Sequence, residues 1–427
     1  MRKPKYQRPT GMHDILPEEQ KYFEKIYDVV KGIANFYGFK KIETPILEET
    51  DLFSRGIGLA TDVVKKQMFS LKTRGGDHLT LRPEATAAIV RAYIEHGMWN
   101  LPQPVKIWHF GPFFRYEKPQ LGRYRQFWQF GFEILGDQSS VLDAQIIQIF
   151  FNILKELKFK NLIAEVNSIG CNQCRPYYKK ILVSYFKSRF SSLCSDCKRR
   201  VKENPLRVLD CKDEKCRRQI SLSPQIIDHL CEECHKHFKE VLEFLDELEL
   251  PYHLNPYLVR GLDYYTKTVF EIFENSPDGK ILGTLTGGGR YDLLLKLLGG
   301  EDTPAVGAAA GIERMILRMK TKASRFPKEI QAKVFLAQLG NLAKRKSLKL
   351  IEGFRLVKIP IAESLGRDSL KAQLKVADRM GIRYVLIFGQ KEALENKIMI
   401  KDMETGKQKI VKFKNVIKEI EKKLKKL

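Results

Sequence analysis

Arg123-Tyr124-Arg125-Gln126-Phe127-Trp128-Gln129-Phe130-Gly131-Phe132-Glu133-Ile134-Leu135 is the stretch that decides the fold. Side chains along a strand alternate in direction. From Phe127 to Leu135, Trp128, Phe130, Phe132 and Ile134 fall on one face, and all are large and apolar. Phe127, Gln129, Gly131 and Glu133 fall on the other. A strand with a solid apolar face has either water or a binding site opposite it. The glycine between Gln129 and Glu133 leaves room for a ligand to approach the backbone. Lys106 to Tyr116 is a second β-rich run. The loop Lys118-Pro119-Gln120-Leu121-Gly122 separates it from Arg125 to Leu135, so an antiparallel pair is expected.

Working outward, the preceding strand supplies Arg115 and Glu117 on one face, and Arg123 returns from the loop. Two guanidinium forks beside one carboxylate suit a bound phosphate; a surface ion pair is the plainer alternative. Upstream, His78 to Arg82 alternates like a strand. Pro83 then opens a helix from about Ala85 to His96, with Gly97 as its stop. An earlier amphipathic helix starts at Leu16-Pro17-Glu18-Glu19 and ends at Gly38. Downstream, Arg260-Gly261-Leu262-Asp263-Tyr264-Tyr265-Thr266 is a dense polar-aromatic cluster entering a strand at Thr268 to Phe273. Thr286-Gly287-Gly288-Gly289-Arg290-Tyr291 follows. Its glycines lack the spacing of a dinucleotide-binding turn. Gly307-Ala308-Ala309-Ala310-Gly311 leads into a helix carrying Glu313 and Arg314, and such a run reads most simply as tight helix packing.

The chain has 427 residues, 75 of them Lys or Arg and 51 Asp or Glu, a formal charge of +24. That length suits two or three domains, and 43% hydrophobic residues argue against wholesale disorder. The excess charge suggests a polyanionic partner, nucleic acid first. It is uneven. Residues 331–427 carry +14 and residues 171–234 carry +6, leaving the rest at +4. No run of ~20 apolar residues suggests a membrane span, and no apolar run follows the basic N-terminus as in a signal peptide. The cytoplasm, where thiols stay reduced, is the expected location.

All eight cysteines lie in 171–234, as Cys171/Cys174, Cys194/Cys197, Cys211/Cys216 and Cys231/Cys234. Clustered thiols in a reducing compartment read as metal ligands, and two Cys₄ zinc sites would use all eight. The favoured pairing joins Cys194/Cys197 to Cys211/Cys216, and Cys171/Cys174 to Cys231/Cys234. Other pairings, and buried free thiols, stay open. After a polar linker at about 320–330, residues 333–427 alternate strand and helix signals. Val334 to Ala337 and Tyr384 to Phe388 are strands, and Ser369 to Met380 is an amphipathic helix. A small α/β domain is expected.

Taken together, these runs resemble the class II aminoacyl-tRNA synthetases, and among them the histidyl-tRNA synthetase family. Pro45 in Ile42-Glu43-Thr44-Pro45 matches the class's first motif, at its dimer interface. Phe114-Arg115-Tyr116-Glu117 through Arg123-Tyr124-Arg125-Gln126-Phe127 matches the second, and Gly311-Ile312-Glu313-Arg314 the third. Leu81-Arg82-Pro83-Glu84-Ala85-Thr86 and Arg260 to Thr266, followed by Val269-Phe270-Glu271, are of the histidine type.

The resemblance implies an α+β fold. An antiparallel-sheet catalytic domain (1–170 and 235–325) would carry a Cys-rich insertion (171–234), followed by an α/β anticodon-binding domain (331–427). It implies ATP and Mg²⁺ as cofactors, L-histidine and its tRNA as partners, and a homodimer. Arg115 and Arg314 would hold the ATP phosphates. Glu117 and Arg123 would make adenine- and phosphate-side contacts, and Phe127 would stack on adenine. Glu84, Thr86, Gln129, Glu133, Tyr264 and Tyr265 would form the histidine pocket, with Glu84 on the α-amine and Glu133 on the imidazole. Arg260 would be the catalytic arginine. Lys118 and Gln120 would lie in the loop that meets the tRNA acceptor end. The chain departs from the family at Ala85 (commonly glycine), Trp128 (frequently histidine) and Lys118 (commonly arginine). Two other readings are a regulatory subunit of ATP phosphoribosyltransferase, which shares the core, and a zinc-dependent RNA-binding protein without activity.

Overall fold

The computed structural model describes residues 5–59, 61–276, 281–321 and 332–425. The chain divides into two units, Met1–Ser324 and Arg325–Leu427. From residue 322 the expected linker lies outside the described residues. The first unit is organised by one sheet, with strands β1 Lys40–Lys41, β2 Val105–Phe114, β3 Gln126–Leu135, β4 Leu162–Ser168, β5 Tyr252–Leu254, β6 Thr266–Asn275, β7 Ile281–Arg290 and β8 Ala305–Gly311. The strand order is β1-β2-β3-β8-β7-β6-β4-β5. The inner pairs are antiparallel, and the short edge strands β1 and β5 join in parallel. The helices that matter below are α1 Pro17–Phe36, α2 Thr86–Glu95, α3 Val141–Glu156, α4 Cys174–Lys187, α5 Glu232–Glu247 and α6 Ile312–Thr321.

The alternation in β3 sorts the sheet into two unlike faces. Phe130, Phe132 and Ile134 are fully buried on the back. Phe150 of α3 stacks on Phe130 with centroids 5.7 Å apart and meets Phe132 edge-on. Phe39 closes on Phe132 from the other side. The apolar stripe of α1, from Phe23 to Ala34, is buried. Trp128 is half-buried, with its ring edge-on to Phe23. On the front, register sets His109, Gly131, Ala309, Gly287 and Glu271 in one row across five strands. The middle of that row has almost no side chain. The run Gly307 to Gly311 is thus part of a strand paired on both sides, not tight helix packing; the helix begins at Ile312.

Segment 171–234 is helical, with α4, Ser195–Glu203 and Glu214–Ile220, and α5 runs on through residue 234. Its Tyr178, Leu182, Phe186 and Val201 share one apolar cluster with Ala85, Tyr264 and Tyr265. In the second unit, strands β9 Val334–Gln338, β10 Ile361–Glu363, β11 Tyr384–Phe388, β12 Lys397–Asp402 and β13 Gln408–Lys412 form a mixed sheet ordered β10-β9-β11-β12-β13. Gln338 and Gln373, both fully buried, exchange side-chain to backbone hydrogen bonds that fix helix Leu370–Arg379 against β9. The Lys-rich end is the helix Val416–Leu424, anchored by buried Val416 and Ile420; residues 426–427 lie outside the described residues. Among the described residues, no helix is long and apolar enough to cross a membrane.

One buried ion pair joins the sheet to α3. Arg290 ends β7, and Asp143 sits in the first turn of α3; neither side chain is exposed. The guanidinium donates to Asp143 Oδ2 through Nη2 (2.5 Å) and Nε (3.0 Å), and to the carbonyls of Ser139 and Asp137. Burial alone would raise the Asp143 pKa, but Arg290 and His237 outweigh it and hold it at about 2. Such a pair is weak evidence for net stability, yet removing one partner strands a charge. Arg290→Met should therefore cost on the order of 3–5 kcal/mol in denaturant unfolding at pH 7. The double variant Asp143→Leu/Arg290→Met should recover part of that loss. The stabilisation from the depressed Asp143 pKa should be full above its ordinary 3.8 and vanish as pH falls through about 2.

Candidate active site

Two cavities open on the front of the sheet. One, about 290 Å³, is lined by Arg115, Glu117, Arg123, Phe127, Arg314 and Glu313, among others. The second, about 210 Å³, is lined by Glu84, Thr86, Glu133, Tyr264, Tyr265 and His109, among others. Arg115, Gln129, Arg260, Gly287 and Ala309 border both. The predicted residues of the phosphate and histidine groups thus converge, each on its own cavity. Lys118 and Gln120 border neither. Both are exposed in the loop between β2 and β3, where Gln120 and Arg123 exchange backbone hydrogen bonds.

The first cavity is cationic. Arg115 Nε donates to the Pro83 carbonyl at 2.9 Å, and its guanidinium lies 5.4 Å from the Phe127 ring centroid. Arg314 Nη1 donates to the Thr284 carbonyl at 3.0 Å. Arg123 and Glu117 are a loose pair at 3.6 Å. Arg260 is bonded to Glu271, whose other oxygen accepts from Thr284 Oγ1 at 2.8 Å. Burial lowers the pKa of Arg115 and Arg314; Arg260 adds to the effect on the first, and Arg123 on the second. These groups remain cations. Crowded and poorly hydrated, they make a field that an anion would relieve.

The second cavity is built around carboxyls. Glu84 accepts the first N–H groups of α2, from Thr86 (2.6 Å) and Ala87 (2.8 Å), a favoured place for an acid. Burial nonetheless raises its pKa. Glu133, deep in β3, accepts from Tyr291 Oη at 2.6 Å and from Thr86 Oγ1 at 2.9 Å. Burial lifts its pKa to about 8, against those two hydrogen bonds. Tyr291, Glu271 and His109 are residues the sequence reading did not assign. Tyr291 closes the Gly-rich run and Glu271 the histidine-type run, so both sat inside quoted motifs. His109 had no signal beyond its place in the same strand as Arg115.

The glycines of this face do something other than expected. A Cβ on Gly131 would lie 2.4 Å from His109 Nε2, on Gly287 2.3 Å from Arg260 Nη2, and on Gly307 1.6 Å from Glu133 Oε2. Gly131 therefore does not bring a ligand to the backbone; a polar side chain lies flat upon it. Gly311 is different: it borders the first cavity, and nothing stands within 4 Å of where its Cβ would be.

The cysteines gather into two groups of four: Cys171, Cys174, Cys231 and Cys234, and Cys194, Cys197, Cys211 and Cys216. Cys171 Sγ lies 3.8 Å from both Cys174 and Cys231, and Cys194 Sγ 3.9 Å from Cys211. A disulfide needs about 2.0 Å. Tetrahedral zinc, with bonds of about 2.3 Å, has sulfur–sulfur edges of about 3.8 Å. Either group could hold a metal.

The raised Glu133 pKa makes a test. Between its ordinary 4.5 and about 8 the folded state keeps a proton the unfolded chain has lost, so stability falls as pH rises through that window. Glu133→Gln copies the protonated form. It should be more stable than the unsubstituted protein at pH 8.5, by on the order of 2–4 kcal/mol in denaturant unfolding, and gain little at pH 5.

Comparison with known proteins agrees with this geometry. The family model described as histidyl-tRNA synthetase matches residues 11–170 and 212–315, and one described as an anticodon binding domain matches 333–423. A histidine–tRNA ligase of Dehalococcoides mccartyi is 42% identical over 419 residues, covering 98% of this chain and 100% of the relative. That of Halothermothrix orenii is 43% identical over 418 residues, covering 97% and 98%. The crystal structure of apo S. aureus histidyl-tRNA synthetase superposes with a TM-score of 0.78 at 36% identity, covering 97% of this chain and 99% of that one. On this evidence the chain belongs to the histidyl-tRNA synthetase family.

Proposed function

We propose that the protein activates L-histidine with ATP in the cytoplasm, forming histidyl-adenylate and diphosphate, and passes histidine to the 3′ end of its tRNA. One observation carries this reading. A cationic cavity and a carboxyl-lined cavity meet along a seam that holds Arg115 and Arg260. Adenylate formation needs that layout: a carboxylate must reach a phosphorus flanked by negative oxygens.

In this reading Arg115 and Arg314 hold phosphates, Glu117 and Arg123 meet adenine and the phosphate side, and Phe127 stacks on the base. Glu84, Thr86, Gln129, Glu133, Tyr264 and Tyr265 form the histidine pocket, with Glu84 on the α-amine and Glu133 on the imidazole. Arg260 sits where the α-phosphate and histidine carboxylate meet. Its guanidinium offsets charge that develops there, so catalysis is positioning plus fixed electrostatics. Glu117 and Glu271 face the phosphate cavity and are suited to hold a divalent cation, Mg²⁺, which would neutralise further phosphate charge. Lys118 and Gln120, exposed at the cavity's rim loop, suit the tRNA acceptor end. The basic second unit suits tRNA phosphates, which position RNA without reading its sequence. Pro45 supports a homodimer built on the first motif. Zn²⁺ in both Cys₄ groups fits their spacing. A regulatory subunit would need neither the anticodon-binding match nor the full histidine-type set.

Histidine-dependent ATP–pyrophosphate exchange tests the activity directly; none from folded protein would overturn it. Arg260→Ala should depress exchange at least about 100-fold while tRNA affinity stays near normal, the range expected for one electrostatic stabiliser. Elemental analysis of freshly purified, reduced protein should find two zinc ions per chain, and Cys197→Ser should remove one.

A further inference from the structure

Arg260 stands at the seam of the two cavities, yet neither a helix nor a strand carries it. Its guanidinium is tied to Glu271 and lies over Gly287. Its main chain is held from elsewhere, by the Cys-rich insertion. Arg207, in the short turn Pro205–Val208, is only 7% exposed. Its Nη1 donates to the Arg260 carbonyl at 3.2 Å, and its Nη2 to Asp62 Oδ2 at 3.3 Å. A Cβ on Gly261 would lie 3.6 Å from the same Nη1, so this guanidinium covers the peptide that joins Arg260 to Gly261.

A buried guanidinium is costly unless its charge is paired and its donors are used. Both conditions are met for Arg207. Asp62 also accepts from Arg200 Nη2 at 3.0 Å, and Arg200 Nη1 donates to the Arg207 carbonyl at 3.2 Å. Burial would raise the Asp62 pKa, but Arg200 and Arg207 hold it below its ordinary value, so the carboxylate stays charged. Asn204 Nδ2 donates to Asp263 Oδ1 at 3.0 Å and catches the same loop three residues beyond Arg260. Beside these bonds lies a cavity of about 80 Å³, bordered by Asn204, Arg207, Arg260 and Asp263. The Arg260 loop is thus not packed solidly from behind. Directional hydrogen bonds beside a hollow fix its place. The segment that supplies them runs from Cys197 to Cys211, and both of its ends belong to one thiol group.

We propose that Arg207 is a positioning residue for Arg260: aimed by Asp62, it holds the Arg260 main chain, so the insertion sets where the catalytic guanidinium points. This rests on the role given to Arg260 in histidine activation. Glu271 steadies the head of that side chain and Arg207 its base. A misplacement of about 1 Å near a reacting centre can cost on the order of 100-fold in rate. Arg207→Met keeps most of the side chain's bulk and removes its donors. In histidine-dependent pyrophosphate exchange it should lower kcat at least about tenfold, a loss read at saturating substrates. The histidine and ATP KM values should stay within about threefold, and the histidine-induced rise in melting temperature should persist. The decisive readout is a double-mutant cycle. Added to Arg260→Ala, Arg207→Met should change the residual exchange by less than twofold, because the group it positions is gone. A kcat for Arg207→Met within threefold of the unsubstituted protein overturns the proposal. So does an equal loss in both backgrounds, which would mean a general structural role. If Arg207→Met does not fold, Asp62→Asn, which leaves both arginines in place, enters the same cycle; it should lower kcat at least threefold, and no loss overturns the proposal. Failure of exchange in the unsubstituted protein, or normal exchange in Arg260→Ala, would strike the reading of the site itself, and both controls are measured without touching Arg207.

Discussion

Bare backbone at the centre of the sheet's ligand-facing side is the constraint on which the site depends. Eight strands packed on one side by Phe130, Phe132, Ile134 and Phe150 would ordinarily be packed on the other as well. Here Gly131, Gly287 and Gly307 remove that second layer, and His109, Arg260 and Glu133 lie down in its place. The main chain lies close beneath the three groups, and side-chain partners hold Arg260 and Glu133 there: Glu271 for the first, Tyr291 and Thr86 for the second. Any side chain larger than hydrogen at these three positions would lift a functional group off its seat. The pocket's shape is thus set by what the strands lack.

This arrangement explains which parts of the fold and site were legible in the sequence. Alternation along Phe127 to Leu135 is a local signal, and it assigned both faces of β3. The histidine-type runs named Glu84, Tyr264 and Arg260 because each lies in a compact motif. The cysteine spacing favoured the two groups of four that the fold assembles. What escaped was register. Gly307 to Gly311 looks like helix packing until it is set between β3 and β7, because small residues carry no period of their own. His109 lies on the ligand face only because β2 pairs with β3 where it does. The purpose of a glycine depends on which side chain covers it, and that neighbour comes from another strand.

The electrostatics of the two cavities are opposed, and the opposition has a cost. One holds several desolvated guanidinium groups, the other two carboxyls whose protons are held too tightly. Apart, each is an unfavourable burial. Both are relieved by molecules of the opposite character, and the seam at Arg115 and Arg260 is where such molecules would touch. Elsewhere the fold compensates buried charge within itself, as Asp143 and Arg290 do. Charges left uncompensated are those that face a cavity.

The thiol group at Cys171, Cys174, Cys231 and Cys234 ties together points 60 residues apart in sequence. The chain on either side of Cys171 is stitched to the pocket. Arg175 donates to the Tyr265 carbonyl at 2.5 Å, Ile169 N–H to the Lys267 carbonyl, and Lys267 N–H to the Gly170 carbonyl. The intervening chain therefore leaves and re-enters the catalytic unit through one sulfur-pinned gate. Lengthening such a loop costs only about 0.6 kcal/mol per doubling. Its interior nonetheless touches the pocket, since Tyr178, Leu182, Phe186 and Val201 share one apolar cluster with Tyr264 and Tyr265 and Arg207 donates to the Arg260 carbonyl, and the family model skips residues 171–211. What looks like an embellishment is a wall of the pocket, and the pocket's tyrosines are fastened to its gate.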